Sequence, residues 1–419
     1  MKLLIKNARI IDPASGRDAK GDLYIAEGKI SEEFAKAERT LDAKGLVAAP
    51  GFIDIAARLR EPGYEYKATL ESEMAAALAG GVTSLACPPD TDPPLDEPGL
   101  VDMLRRRAKA LTKARVYPIG ALTLKLEGER LTEMAQLAET GCVAFSQGNA
   151  PLADTQVLWR ALQYAATFGF PVWLRAEDVG LAKGGVAHDG EVATRLGLPG
   201  IPPFAETIAL ATILELVRAT RARVHICRLS TAGAVEMMRA AKREGLPVTC
   251  DVGIHHLHLC DNDLGYFDSN CRLAPPLRSQ RDRDALARGL EDGTVDCACS
   301  DHTPVDEDGK HLPFAEAEPG ATGLELLLPL TLKWGEARKL PLTKTLARIT
   351  SDAARVLGVG SGRLATGAPA DVVLFDPAAT TRISAESLKS QGKNTPFLGY
   401  ELAGRVRTTI VAGNVVYEK

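Results

Sequence analysis

The chain has 419 residues, 45% hydrophobic and 25% charged, with 38 Gly, 25 Pro and a formal net charge of -4. That is the usage of a globular protein with ample core, and it excludes a disordered or collagen-like chain. The acidic balance excludes the basic footprint of a general nucleic-acid binder. No apolar run reaches the ~18 residues of a membrane span, and Leu3-Leu4-Ile5 is too short for a secretory leader core.

In chain order, residues 3–11 and 23–30 are β-rich, with a hairpin-type break at Glu27-Gly28. Short apolar runs then follow at 51–55, 82–87, 116–121, 141–145, 171–174, 224–227, 247–252 and 295–299. Amphipathic stretches such as 70–79, 153–168, 203–220 and 232–244 lie between them. Near the end, 370–376 reads as a buried strand and 405–417 carries a turn signal at Gly413-Asn414. Eight β-then-α units predict a (β/α)8 barrel over residues 51–359. The β-rich ends, 1–50 and 360–419, predict one small composite β domain. An open doubly wound sheet is the rival, but no Gly-x-Gly-x-x-Gly follows the early strands. The eight cysteines, Cys87, Cys142, Cys227, Cys250, Cys260, Cys271, Cys297 and Cys299, share no repeating spacing. They read as free thiols of a cytoplasmic protein.

In a barrel of this kind the chemistry sits at the C-terminal strand ends. The first such end reads Pro50-Gly51-Phe52-Ile53-Asp54-Ile55-Ala56-Ala57-Arg58-Leu59-Arg60-Glu61-Pro62-Gly63. It resembles the Pro-Gly-Phe-Ile-Asp-x-His-x-His-Leu-Arg-Glu-Pro-Gly signature of dihydroorotases in the amidohydrolase superfamily. The likeness continues through Gly80-Gly81-Val82-Thr83, Pro275-Pro276-Leu277-Arg278, Ser300-Asp301-His302-Thr303-Pro304 and Gly323-Leu324-Glu325. It runs on through Ala370-Asp371 to Lys393-Asn394-Thr395-Pro396-Phe397, so it covers essentially the whole chain. The resemblance implies a TIM-like amidohydrolase barrel, binding divalent metal, with a composite β-sandwich from both chain ends.

The departures concern the metal. Where the resemblance implies the two ligand histidines of His-x-His, the chain has Ala56 and Arg58. Where it implies a carboxylate or modified lysine on the fourth strand, Gln147 or Gly148 stands. The ligand histidines of the fifth and sixth strands are Arg175 and Arg228. Alanine has no donor atom, and arginine stays protonated with no lone pair to offer. Asp301 alone remains, whereas a catalytic zinc takes about three protein ligands. Arginines can stabilise charge but cannot generate hydroxide from bound water. The expectation is therefore no zinc, no working catalytic residue, and a salt-bridged plug joining Asp301 to nearby arginines. Anion binding by Arg58, Arg175 and Arg228 is the competing reading.

The implied substrate groups change in parallel. Arg60 is kept, with a structural ion pair as its alternative role. Asp92 replaces an asparagine, Ala274 another asparagine, and Val305 a histidine. An aspartate beside an anionic substrate repels it. Elsewhere, His256, His258 and Cys260 alternate, as side chains on one strand face would. Three ligands on one short strand make poor tetrahedral geometry, so a metal there is the lesser reading. Cys297 and Cys299 read as buried core thiols.

The pattern resembles the non-catalytic dihydroorotase homologues that accompany an aspartate carbamoyltransferase in some bacteria. That resemblance implies a pseudoenzyme of pyrimidine biosynthesis, homo- and hetero-oligomeric, with the transferase catalytic chain as partner and no nucleic acid or membrane. The alternatives are an active or altered metal-dependent cyclic amidohydrolase and an anion-binding regulatory module.

Overall fold

The computed structural model describes residues 2–111, 113–150 and 152–419. Eight short parallel strands form a ring in sequence order: Phe52–Asp54, Val82–Cys87, Arg115–Ala121, Ala144–Ser146, Val172–Leu174, Val224–Ile226, Val248–Gly253 and Cys297–Cys299. Strands covered on both faces read as continuous apolar runs, and all of Val82–Cys87 is buried. Helices such as Leu70–Ala79, Thr155–Phe168, Phe204–Thr220 and Ala232–Arg243 pack outside. Their starts are set by local chemistry. Thr69 caps the first by accepting from the Ser72 amide, and Asp154 caps the second. Among the described residues no helix is long and apolar enough to cross a membrane.

The ring closes between its eighth and first strands through a buried carboxylate. Asp54 accepts the Ser300 amide at 2.8 Å and also the Ser300 hydroxyl. Burial pushes the Asp54 carboxyl up against those hydrogen bonds. Just beyond, the Arg58 amide donates to His302 O (2.9 Å) and the His302 amide to Ala56 O (3.0 Å).

A second sheet holds both chain ends. Its order is Asn414–Glu418, Glu401–Val411, Val372–Arg382, Val47–Pro50, Lys2–Asp12, Arg17–Ala26 and Lys29–Ser31, with Arg39–Asp42 also on Lys2–Asp12. The join is Val47–Pro50 against Val372–Arg382, antiparallel, with Pro50 opposite Val372. Residues 17–22, which carry no strand pattern, are strand because they pair with Lys2–Asp12. There the Arg9 guanidinium forks onto Asp18 at 2.8 Å.

Two contacts lock this sheet to the barrel. Gly81 lies at φ +79°, and a Cβ there would come within 2.8 Å of the Phe52 ring and the Val373 side chain. Only glycine allows that approach. Arg115, at the start of the third barrel strand, pairs with buried Asp371 at 2.9 Å, and Asp371 also accepts the Ala412 amide.

A third lock is Glu73, fully buried on the first outer helix. Its carboxylate accepts from His302 Nε2 (2.6 Å), Ser390 Oγ (2.7 Å) and the Gln391 amide (3.0 Å). His302 Nδ1 accepts the Gly323 amide, so the ring proton sits on Nε2. Burial pushes the Glu73 carboxyl up, but His302, Ser390 and Gln391 outweigh it and hold it below its usual range. A depressed folded value means stabilisation that is complete above the unfolded value of ~4.3 and lost as pH falls through the folded one. Glu73→Ala should cost about 3 kcal/mol near neutral pH, since it strands two buried donors and one half-buried amide. In urea unfolding at several pH values, the gap to the parent should narrow on acidification below about pH 4.

Candidate functional site

The C-terminal ends of the barrel strands carry the charged residues the sequence singles out, and their partners are now explicit. Arg228, after the sixth strand, donates from Nη1 to Asp301 Oδ1 (2.9 Å) and from Nη2 to Asn149 Oδ1 (2.7 Å). Arg58, after the first strand, donates from Nε to Asp90 Oδ2 (2.8 Å) and from Nη1 to Thr303 Oγ1 (3.1 Å). Its Nη1 stands 3.5 Å from Asp301 Oδ1. Arg58, Arg228 and Asp301 are each about 5% exposed. Burial works against the Arg228 charge, and Asp301 more than restores it, so its pKa is raised. Burial pushes the Asp90 carboxyl up, but Arg58, Arg60 and Arg228 hold it below its usual range.

Arg175 is turned elsewhere. Its guanidinium binds Glu177, two residues along the same loop, and burial lowers its pKa against that pairing. The expected plug of arginines on Asp301 has Arg58 and Arg228 as members, and Arg175 is not one of them. Gln147 also faces away. Its Oε1 accepts from Thr123 Oγ1 (3.0 Å) and its Nε2 donates to Leu126 O (2.8 Å), which ties it to the loop after the third strand. Gly148 lies at φ +62°, and the Asp90 carboxylate fills the space a side chain would take, its carbon 3.2 Å from a Cβ placed there.

Ala56 is buried at the end of the first strand and faces a cavity of about 30 Å³ that Arg58, Ser146, Trp173, Cys227 and Arg228 also line. That volume holds a water or two. Sites for small organic ligands run to roughly 300–1,000 Å³. The donor set does not fit a divalent ion. Ala56, Arg58, Arg175 and Arg228 offer no lone pair, and Asp301 is already shared by two guanidiniums.

The substrate-position residues scatter. Asp92 is exposed and Ala274 half-buried, while Val305 is buried with its amide donating to Asn394 Oδ1 (3.0 Å). Arg60 makes no ion pair among the described residues, which corrects the structural ion-pair reading. It donates from Nε to Pro304 O (2.9 Å) and lies over the Tyr64 ring. Arg60, Arg228 and Asp301 all have positive φ, at 62°, 55° and 46°. Such strain costs on the order of 1 kcal/mol per residue and collects at functional sites.

The histidine run is not on a strand. The seventh strand stops at Gly253, and Ile254–Leu257 is a 3₁₀ turn, so His256, His258 and Cys260 share no face. His255 stacks on Phe397 (5.7 Å) with neither ring nitrogen partnered, and burial pushes it down to about 3. His258 Nε2 donates to Leu330 O (2.9 Å), and burial pushes this ring down to about 4. Cys297 and Cys299 are fully buried. Among the described residues, His225, Cys227 and Asp251 bring ligand atoms within 4.8 Å of one another. Two of the three already serve each other. His225 Nε2 meets Asp251 Oδ2 at 2.8 Å, and Asp251 Oδ1 accepts the Arg228 amide at 2.9 Å.

Sequence reasoning missed Asp90, Asn149 and Asp251, which hold the arginines. Each lies at or just after a barrel strand end, so a tally of polar residues there would have found them.

The comparisons with known proteins agree with this frame. The amidohydrolase family model matches residues 187–416, and the dihydro-orotase-like model matches residues 45–234. A dihydroorotase-like protein of Pseudomonas aeruginosa is 47% identical over 423 residues, covering 100% of both chains. The chain belongs to the dihydroorotase-like amidohydrolases. Within that family, a dihydroorotase-like protein of Pseudomonas putida is 44% identical, covering 100% of this chain and 99% of its own. A protein of Geobacter sp. strain M21 named dihydroorotase is 41% identical, with both chains fully covered. Among solved structures, L-hydantoinase from Arthrobacter aurescens superposes with a TM-score of 0.89 at 24% identity, covering 100% of this chain and 96% of that one. It shares the amidohydrolase barrel and its companion sheet.

Replacing Asp301 by alanine should cost about 3–5 kcal/mol, because two buried guanidiniums lose their shared partner. Adding Arg228→Met should recover part of that loss, read as non-additivity in urea midpoints.

Proposed function

We propose that this dihydroorotase-like chain is a catalytically silent subunit of pyrimidine biosynthesis, cytoplasmic and free of zinc, that assembles with the catalytic chain of aspartate carbamoyltransferase. The observation that carries the silence is the occupation of Asp301. The one retained metal-type carboxylate is bound by Arg228 and Arg58, over a cavity of about 30 Å³. A bound metal would need that carboxylate and further donors that Ala56, Arg58 and Arg228 do not offer, and water activation at neutral pH needs the metal.

The partner comes from the family resemblance. What supports it physically is the division of labour among the shared motifs. Those kept in this chain serve the fold. His302 binds Glu73, and the Asn394 amide clamps Thr303 O and Gly320 O at 3.1 and 3.0 Å. Those altered are the ones that the resemblance assigns to metal and substrate. A chain retained for its shape rather than its chemistry has this distribution. The name dihydroorotase-like on the two Pseudomonas relatives is in keeping with the reading.

The enzyme reading is favoured by one observation, the 41%-identical relative named dihydroorotase. Arg60, a guanidinium without a carboxylate partner, favours the anion-binding module.

Metal content, turnover and association with the transferase test the silent reading against the enzyme reading. The purified chain should carry no stoichiometric zinc and should not turn over dihydroorotate with or without added zinc. Co-expressed with the transferase chain of its own host, it should co-purify, and the transferase should assemble less well without it. Zinc at one or two ions per chain with turnover would sink the silent reading. A transferase fully assembled and active in its absence would sink the partner.

A further inference from the structure

At the opposite end of the barrel from the mouth lies an open groove of about 630 Å³. It runs between the helix Pro98–Ala110, the start of the strand Arg115–Ala121 and the hairpin that joins Glu401–Val411 to Asn414–Glu418. Five cationic side chains line it, Arg105, Arg106, Lys109, Lys113 and Arg115, against one carboxylate, Asp102. This is a local excess of positive charge on a chain whose net charge is -4.

Internal partners use up only part of that charge. Asp102 is taken by Arg106 at 2.7 Å. Buried Asp371 holds Arg115 from behind, leaving that guanidinium about one third exposed. Lys113 is 3.7 Å from Glu71, and Arg105 donates to a backbone carbonyl, Thr140 O. Lys109 has no carboxylate partner among the described residues. The helix C-terminus favours cations in its last turn and so accounts for Lys109. It does not account for Lys113 and Arg115, which lie beyond the helix. Like charges gathered on one concave wall raise the local potential and attract anions.

Part of the lining is apolar, with Val116, Val411 and Val416 beside Asn414. A bare anion would leave those side chains unused. The volume falls within the roughly 300–1,000 Å³ of small-ligand sites. A nucleic acid is disfavoured by the acidity of the chain as a whole.

We propose that this groove binds a small organic polyphosphate with a planar apolar body, of the nucleoside triphosphate class. The phosphates lie toward Arg105, Lys109 and Lys113, and the ring lies on the valines. The site is independent of the reading given to the barrel mouth.

The test is calorimetric titration of the full chain with ATP, with inorganic tripolyphosphate and with polyglutamate. ATP should saturate one site per chain, and tripolyphosphate should bind about tenfold more weakly, roughly 1.4 kcal/mol. Lys109→Glu with Lys113→Glu should weaken ATP by about tenfold or more and flatten its salt dependence. Val416→Asp should weaken ATP while leaving tripolyphosphate unchanged or weaker. Lys20→Glu, an exposed change outside the groove, is the control and should bind as the parent does. Circular dichroism melts confirm folding of each variant. No saturable ATP binding by about 1 mM, a limit of about 4.1 kcal/mol, would overturn the proposal. Equal affinity for tripolyphosphate would overturn it too, as would indifference to the lysine reversals. Polyglutamate binding without ATP binding would assign the groove to an acidic polypeptide instead.

Discussion

Two guanidiniums in the throat of a barrel are tolerable only if carboxylates meet them there. Taking a charge out of water costs several kcal/mol even after relaxation, and a partner left alone is worse than either state. Arg58 and Arg228 therefore commit Asp301, Asp90 and Asn149 to their service. The rest of the mouth follows from that commitment. Asp90 fills the space beside Gly148, Arg175 takes Glu177, and the cavity beneath shrinks to about 30 Å³. Both guanidiniums sit on one oxygen of Asp301, and their charge stands against a divalent cation at that carboxylate.

The same residues separate framework from chemistry. Arg278, in the Pro-Pro-Leu-Arg motif, is buried and donates to Ser230 Oγ. His302, one residue past Asp301, fastens the eighth strand's exit to an outer helix. Arg60, Arg228 and Asp301, all at this mouth, share a left-handed backbone. A shared motif is thus two things at once, a set of hydrogen bonds that build a barrel and a set of ligands that use it. The first of these is intact here.

Much of the fold was legible because its signals are local. Eight short apolar runs that alternate with amphipathic stretches point to the barrel. Residues 17–22 were not legible, since their pairing with Lys2–Asp12 is a property of two distant segments rather than of their own composition. The histidine alternation misled for a related reason. The strand ends at Gly253, and alternation means nothing in the 3₁₀ turn that follows. At the site, the altered positions could be read one by one, because each sits in a recognisable motif. Their pairings could not. Arg228 meets Asp301 and Asn149 from two other strands, and Gln147 is turned away by Thr123. Arg175 shows the limit clearly: the nearest carboxylate along the chain, Glu177, took it before the barrel could.

The sheet that unites the two chain ends has a consequence for how the molecule is made. Val47–Pro50 leaves the ribosome early, yet its partner Val372–Arg382 emerges only after the whole barrel has been synthesised. Until then one edge of that strand has no neighbour in the sheet. Translation thus holds open a long-lived intermediate whose exposed strand edge invites misplaced pairing. The long sequence separation also makes the final joining a slow, late step. The sheet that holds residues 47–50 is therefore completed only once residues 372–382 have been made.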